Sequence, residues 1–217
     1  MTPIRPLLAA LPLVALLAAC SASAPPSVAP SPMTPAAGAD APVPAAAPSA
    51  RERAQAAAQD FSGSLRGQLK ARLGEGGPVA AVEFCKVEAP KIAAAARARH
   101  GVTLGRVPVA GRMRNPANAP GDWQAKVLAD FEARARAGEA ADTLAFAQSE
   151  GLPEGVALRM AKGIAVEPGC LTCHGKAIAE PVRAALAKQY PGDTATGFEA
   201  ADLRGLLWVE VPAAPAP

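Results

Sequence analysis

Thr143-Leu144-Ala145-Phe146-Ala147-Gln148 and Val156-Ala157-Leu158-Arg159-Met160-Ala161-Lys162-Gly163-Ile164-Ala165-Val166 read as two strands of a hairpin. The connection between them holds Gly151, Pro153 and Gly155, the residue types a chain reversal requires. Outward from this pair, Val102 to Val109 is rich in β-branched residues and reads as a strand, and Leu203 to Val211 closes the domain as another. Ahead of them, Phe61, Leu65, Leu69 and Leu73 recur every four positions on one helix face, which Gly74-Glu75-Gly76-Gly77 stops. Pro78 opens a second helix carrying Val79, Val82 and Cys85; Pro90 kinks or restarts it, and Gly101 after His100 caps it. Asp122 reads as the cap of a helix with Trp123, Val127 and Phe131, ended by Gly138, and Ile178 to Tyr190 is a further amphipathic helix. Two N-terminal helices and a small, mostly antiparallel sheet flanked by helices make the fold α+β.

Between the hairpin and the last helix stands Cys170-Leu171-Thr172-Cys173-His174, the attachment sequence of a c-type haem. Two thiols add across the vinyl groups, and the following imidazole binds the iron. A short bent segment holds both sulfurs against one porphyrin edge and leads directly into the His. A Cys170–Cys173 redox disulfide competes weakly, and a zinc site lacks the second Cys or His pair needed for four ligands. The composition agrees: of 217 residues half are hydrophobic, but only eight are aromatic, and much of the rest is Ala, which buries little area. One covalently held haem is the missing core mass, and without it the domain is expected to fold poorly.

The N-terminus is an address. Residues 1–19 carry Arg5 and then an apolar run from Leu7 to Ala19, too short to span a bilayer, which reads as a secretory signal. Leu17-Ala18-Ala19-Cys20 resembles the bacterial lipoprotein box, in which the Cys is lipidated, and Ser21 after it favours the outer membrane. Residues 20–50 form a linker of Ala, Pro, Ser and Gly with Asp40 as its one charge. At about 3.1 Å per residue it reaches up to ~90 Å. The haem domain is placed at 51–212, with 213–217 a tail. The expected location is the periplasmic side, lipid-anchored through Cys20. A net charge of +3 without a basic block excludes nucleic acid as a partner.

With Cys20 given to lipid and Cys170 and Cys173 to the vinyls, Cys85 is left as a lone thiol in an oxidising compartment, where it is either protected by burial or employed. It, His100, Met113 and Met160 are the candidates for the iron's other axial position. By residue type alone Cys85 and the two Met read as core, and His100, beside Arg97 and Arg99, as a solvated cap.

Ala81-Val82-Glu83-Phe84-Cys85, His100-Gly101-Val102, the loop Arg114-Asn115-Pro116-Ala117-Asn118-Ala119-Pro120, the haem motif, Tyr190-Pro191-Gly192-Asp193-Thr194-Ala195-Thr196-Gly197-Phe198 and Asp202-Leu203-Arg204-Gly205 together resemble the Tll0287-like bacterial single-haem proteins. The resemblance implies a PAS-like fold and a thiolate from Cys85 opposite His174. This sequence has Met160-Ala161-Lys162-Gly163-Ile164 where such proteins carry an aromatic and a Pro, which keeps Met160 as the fallback ligand. Arg106, Arg112, Arg114 and Arg204 are candidate partners of the haem propionates, Arg204 first. A thiolate stabilises ferric iron and can leave on reduction, so the expected function is a redox or small-ligand sensor signalling through a partner protein. A periplasmic electron-transfer cytochrome is the alternative. An enzyme is disfavoured, because no His, Glu or Asp constellation stands near the motif.

Overall fold

The computed structural model describes residues 47–213, so the signal, Cys20 and most of the linker lie outside the described residues. Helix α1 spans Ala50–His100 and begins one residue inside the stretch assigned to the linker. Its start is a capping box: the Ser49 hydroxyl accepts from the Glu52 N–H at 3.2 Å, and the Glu52 carboxylate accepts from the Ser49 N–H at 2.7 Å. Gly77 breaks α1 with φ 70° and ψ −173°, angles that suit a residue without Cβ, and Pro78 restarts it, as its fixed φ allows. The expected interruption at Pro90 does not occur. Helical angles continue through it, and Ala89, Ala93 and Ala96 keep that stretch packed on the core. The two segments are tied where α1 begins and ends. Asp60 accepts from His100 Nε2 at 3.0 Å and pairs with Arg99, and Arg53 Nη2 donates to the Gly101 carbonyl at 2.7 Å. His100 is therefore an engaged residue, not a solvated cap.

The remaining elements are β1 (Thr103–Pro108), α2 (Asp122–Arg136), β2 (Ala145–Gln148), β3 (Val156–Ala165), α3 (Leu171–His174), α4 (Glu180–Gln189) and β4 (Leu203–Pro212). Asp122 is the first residue of α2 and Gly121 its cap, one position from the expected start. The four strands form one antiparallel sheet in the order β1-β4-β3-β2, so β4 lies inside the sheet. Alternation sorts the strands' side chains onto two faces. Leu104, Leu158, Val209 and Val211 pack with Phe61, Leu65 and Phe84 of α1; Val107, Ala161 and Leu206 pack with Val127, Leu128 and Phe131 of α2. A third cluster joins Val82 of α1 to Val182, Leu186 and Tyr190, with Cys173 against it. The expected α+β architecture, an antiparallel sheet flanked by helices, is the one observed. Among the described residues no helix is long and apolar enough to cross a membrane.

Candidate functional site

A 3-10 turn at Pro168–Cys170 runs directly into α3, a single helical turn. Cys170 and Cys173 are three residues apart on it, so both thiols share one face. Both are free and partly buried, and burial pushes the Cys173 thiol up. The segment after Tyr190 is laid along the end of this turn. Gly197 and Phe198 donate their N–H groups to the carbonyls of Gly175 and His174, each at 3.0 Å.

This stitching puts the Ala195 carbonyl 2.6 Å from His174 Nδ1. A carbonyl only accepts, so Nδ1 carries the proton and Nε2 the lone pair. Arg114 enforces the same tautomer from the other side. Its Nη1 is 3.3 Å from His174 Nε2, and a guanidinium only donates. The imidazole is partly buried and its basicity falls: burial, then the charges of Arg204 and Arg114, bring its pKa down to about 3, against the Ala195 hydrogen bond. It is a neutral ring with a fixed orientation and an unprotonated Nε2, the state in which a His binds a metal.

Arg114 lies at the centre of the site. Its Nε donates to Asp193 Oδ2 at 2.9 Å and its Nη2 to the Cys173 carbonyl at 2.6 Å, while Asp193 Oδ1 accepts from the Ala195 N–H at 2.8 Å. Only 11% of the Arg114 side chain and 8% of the Asp193 side chain are exposed. One backbone bond and one to a side chain align the stretches: Thr194 N–H donates to the Met113 carbonyl at 2.9 Å, and Met113 N–H donates to the Thr194 hydroxyl at 2.8 Å. Arg114 is thus committed within the protein, which weakens the expectation that it serves a propionate.

Arg204 and Arg106 differ from it. Among the described residues neither side chain makes a hydrogen bond or an ion pair, and both are partly buried, with no fully enclosed nitrogen left unpaired. Burial lowers the basicity of both, Arg204 to about 10. Arg106 lies over the Phe61 ring, 5.6 Å from its centroid, and Arg204 over Phe198 at 5.4 Å. A bulge aims Arg204. Ile164 pairs with Gly205 and Ala165 with Leu203, so Arg204 is the extra residue on β4. Gly205 makes this possible, with φ 147° and a backbone so close that a Cβ would meet the Val107 carbonyl oxygen at 2.1 Å. Arg112 stacks on Phe198 at 4.4 Å.

Cys85, on the second segment of α1, is partly buried against the α1 core. Burial pushes its thiol up; the charges of Arg106 and then Arg114 pull it back. Cys85 in turn acts on Cys173 and Tyr190, so helix α1 delivers it to the same electrostatic neighbourhood as the motif. Met160 packs on the same side of the sheet as Phe61 and Leu158. The ring of Tyr190, buried beside Cys173, carries Lys86 on its face at 4.9 Å, and burial pushes its hydroxyl to about 12.

The roles of Asp193 and Ala195 are not legible from the chain alone, because they depend on contacts 79 and 21 residues apart. Among the described residues no three or more His, Cys, Asp or Glu side chains converge as a metal site. One imidazole nitrogen, two thiols on one face, unpaired guanidiniums and apolar walls suit a metal that arrives with most of its own ligands in an anionic frame.

A family model, described as Tll0287-like (Tll0287), matches residues 41–212. The crystal structure of the cyanobacterial haem protein Tll0287 is similar to this chain at 26% identity and a TM-score of 0.50, over 72% of this chain and 95% of that one. No curated protein matches the chain.

Proposed function

Since the chain belongs to the Tll0287-like family, we propose that it is an exported c-type haem protein with one haem, tethered to a membrane through Cys20 and acting as a redox or small-ligand sensor. The observation that carries this reading is the set state of His174: Nδ1–H fixed on the Ala195 carbonyl, Nε2 unprotonated, and the two motif thiols in the 3-10 turn and helical turn that lead into it. The residues fit the group. Cys170 and Cys173 would hold its vinyl edge, His174 Nε2 its iron, and the unpaired guanidiniums of Arg204 and Arg106 its carboxylates.

Bound there, haem supplies a one-electron couple and a coordination position for a small ligand. Cys85 would provide the second axial donor, with Met160 as the fallback. As an anionic sulfur, Cys85 favours the oxidised state. Burial favours the neutral thiol of Cys85, so its sulfur would be held less firmly by reduced iron than by oxidised iron, and its release would give the redox change a structural output. The signal passes to a partner protein on the periplasmic side, with the outer membrane as the anchoring surface.

Absorption spectroscopy of the purified mature protein tests the reading. The pyridine haemochrome is expected to show thioether-linked haem, and Cys85→Ser to convert a low-spin ferric spectrum to a high-spin one. A protein without covalent haem overturns the proposal, and an unchanged Cys85→Ser spectrum removes Cys85 as ligand.

A further inference from the structure

Buried ion pairs contribute little net stability, because desolvation offsets their attraction, so a pair enclosed as deeply as Arg114–Asp193 invites a reason beyond folding. Every contact of this pair converges on one ring. Arg114 reaches His174 Nε2 and the Cys173 carbonyl, and its Nη2 lies 3.4 Å from the Ala195 oxygen that holds Nδ1; Asp193 fixes the Ala195 N–H. The geometry points to Arg114–Asp193 as a positioning and charge-balancing pair that locks the orientation of His174 and cancels the charge of the guanidinium beside its Nε2. The inference rests on the haem reading above.

Nη1 is the one nitrogen of Arg114 whose only bond is to the His174 ring, so that contact is the one a metal on Nε2 would have to replace. Nε and Nη2 hold Arg114 to Asp193 and to the Cys173 carbonyl. Arg114 lies against the imidazole and Asp193 behind it, both with about a tenth of the side chain exposed, where charges are weakly screened. Removing the carboxylate leaves an uncompensated cation, which favours added electrons. Removing the guanidinium leaves an anion, which disfavours them. Second-layer groups of this kind tune a metal through its ligand.

The test uses the haem-loaded full chain. Asp193→Asn is expected to raise the midpoint potential, Arg114→Gln to lower it, and the double variant to return close to the parent. Arg114→Lys, which keeps the charge, is expected to rescue most of the Arg114→Gln shift. Shifts of the same sign in both single variants, or no shift in variants that retain the parent circular dichroism, overturn the inference. If Arg114→Gln does not fold, Asp193→Asn, Arg114→Lys and the double variant decide the sign. Hydrogen exchange at the Ala195 amide gives a readout independent of the metal: it is expected to quicken in Asp193→Asn, and an unchanged rate overturns the pair's positioning role. Absence of haem from the parent protein defeats the functional reading instead, while the exchange measurement still judges the pair.

Discussion

The His174 ring and the Ala195 carbonyl, 21 residues apart in sequence, are held at 2.6 Å, and that bond decides which imidazole nitrogen faces the site. The geometry makes His174 the residue with the most specific spectroscopic consequence. His174→Met, which exchanges a nitrogen donor for a thioether, is expected to raise the potential of the loaded protein, as read by spectroelectrochemistry. An unchanged potential would remove His174 from the metal.

The unpaired guanidinium of Arg204 predicts an effect that changes sign with loading. In a chain lacking both attachment thiols (Cys170→Ala with Cys173→Ala), Arg204→Leu is expected to stabilise, because it removes a partly buried cation that makes no hydrogen bond or ion pair. In the loaded protein the same substitution is expected to destabilise, having stripped a carboxylate of its partner. Urea unfolding of the four proteins measures both; the same sign in each background would argue against an anion at Arg204.

Gly205→Ala tests the bulge. A methyl group there meets the Val107 carbonyl oxygen in a backbone region that disfavours side chains, and the expected cost is about 2–4 kcal/mol in chemical denaturation. A smaller loss would mean that the strand relaxes, and with it the aim of Arg204.

Acid should loosen the α1 hairpin in a defined direction. The hydrogen bond from His100, assisted by Arg99, holds the Asp60 carboxyl below its ordinary value of 3.8. A depressed folded value means that this contribution is complete above the unfolded value and is lost as pH falls from there through the folded one. Asp60→Asn is therefore expected to lower the urea midpoint at pH 7 and to leave it little changed near pH 2. Equal losses at both pH values would refute the assignment.

Phe131, fully buried between α2 and the sheet, is the largest such side chain, and Phe131→Ala is expected to cost about 3–5 kcal/mol by thermal or urea unfolding.

Local physics made most of the fold legible. Four-residue spacing at Phe61, Leu65 and Leu69 marks a buried helix face, and the glycine run before Pro78 marks its break, because these signals depend only on neighbours along the chain. Pro90 misled, since a proline's fixed φ is compatible with a helix and tertiary packing of the alanines around it decided the outcome. At the site, the motif residues and Cys85 carried their own chemistry in their spacing and family likeness. Arg114 did not. Four arginines looked alike in sequence, and only the fold separates Arg114, which is bonded to Asp193 and Cys173, from Arg106 and Arg204, which are not.

The strand order has a further implication, for assembly in time. β4 follows every other element in sequence yet lies between β1 and β3, so β1 has no partner, and β3 only β2, until the last strand arrives. The loop that clamps His174 also follows the motif. A chain emerging N-terminus first therefore exposes Cys170, Cys173 and His174 while the sheet is still open, and the late strand, joined by contacts distant in sequence, closes it slowly. That order leaves an interval in which both thiols stand open before the segment after Tyr190 clamps the turn that carries them.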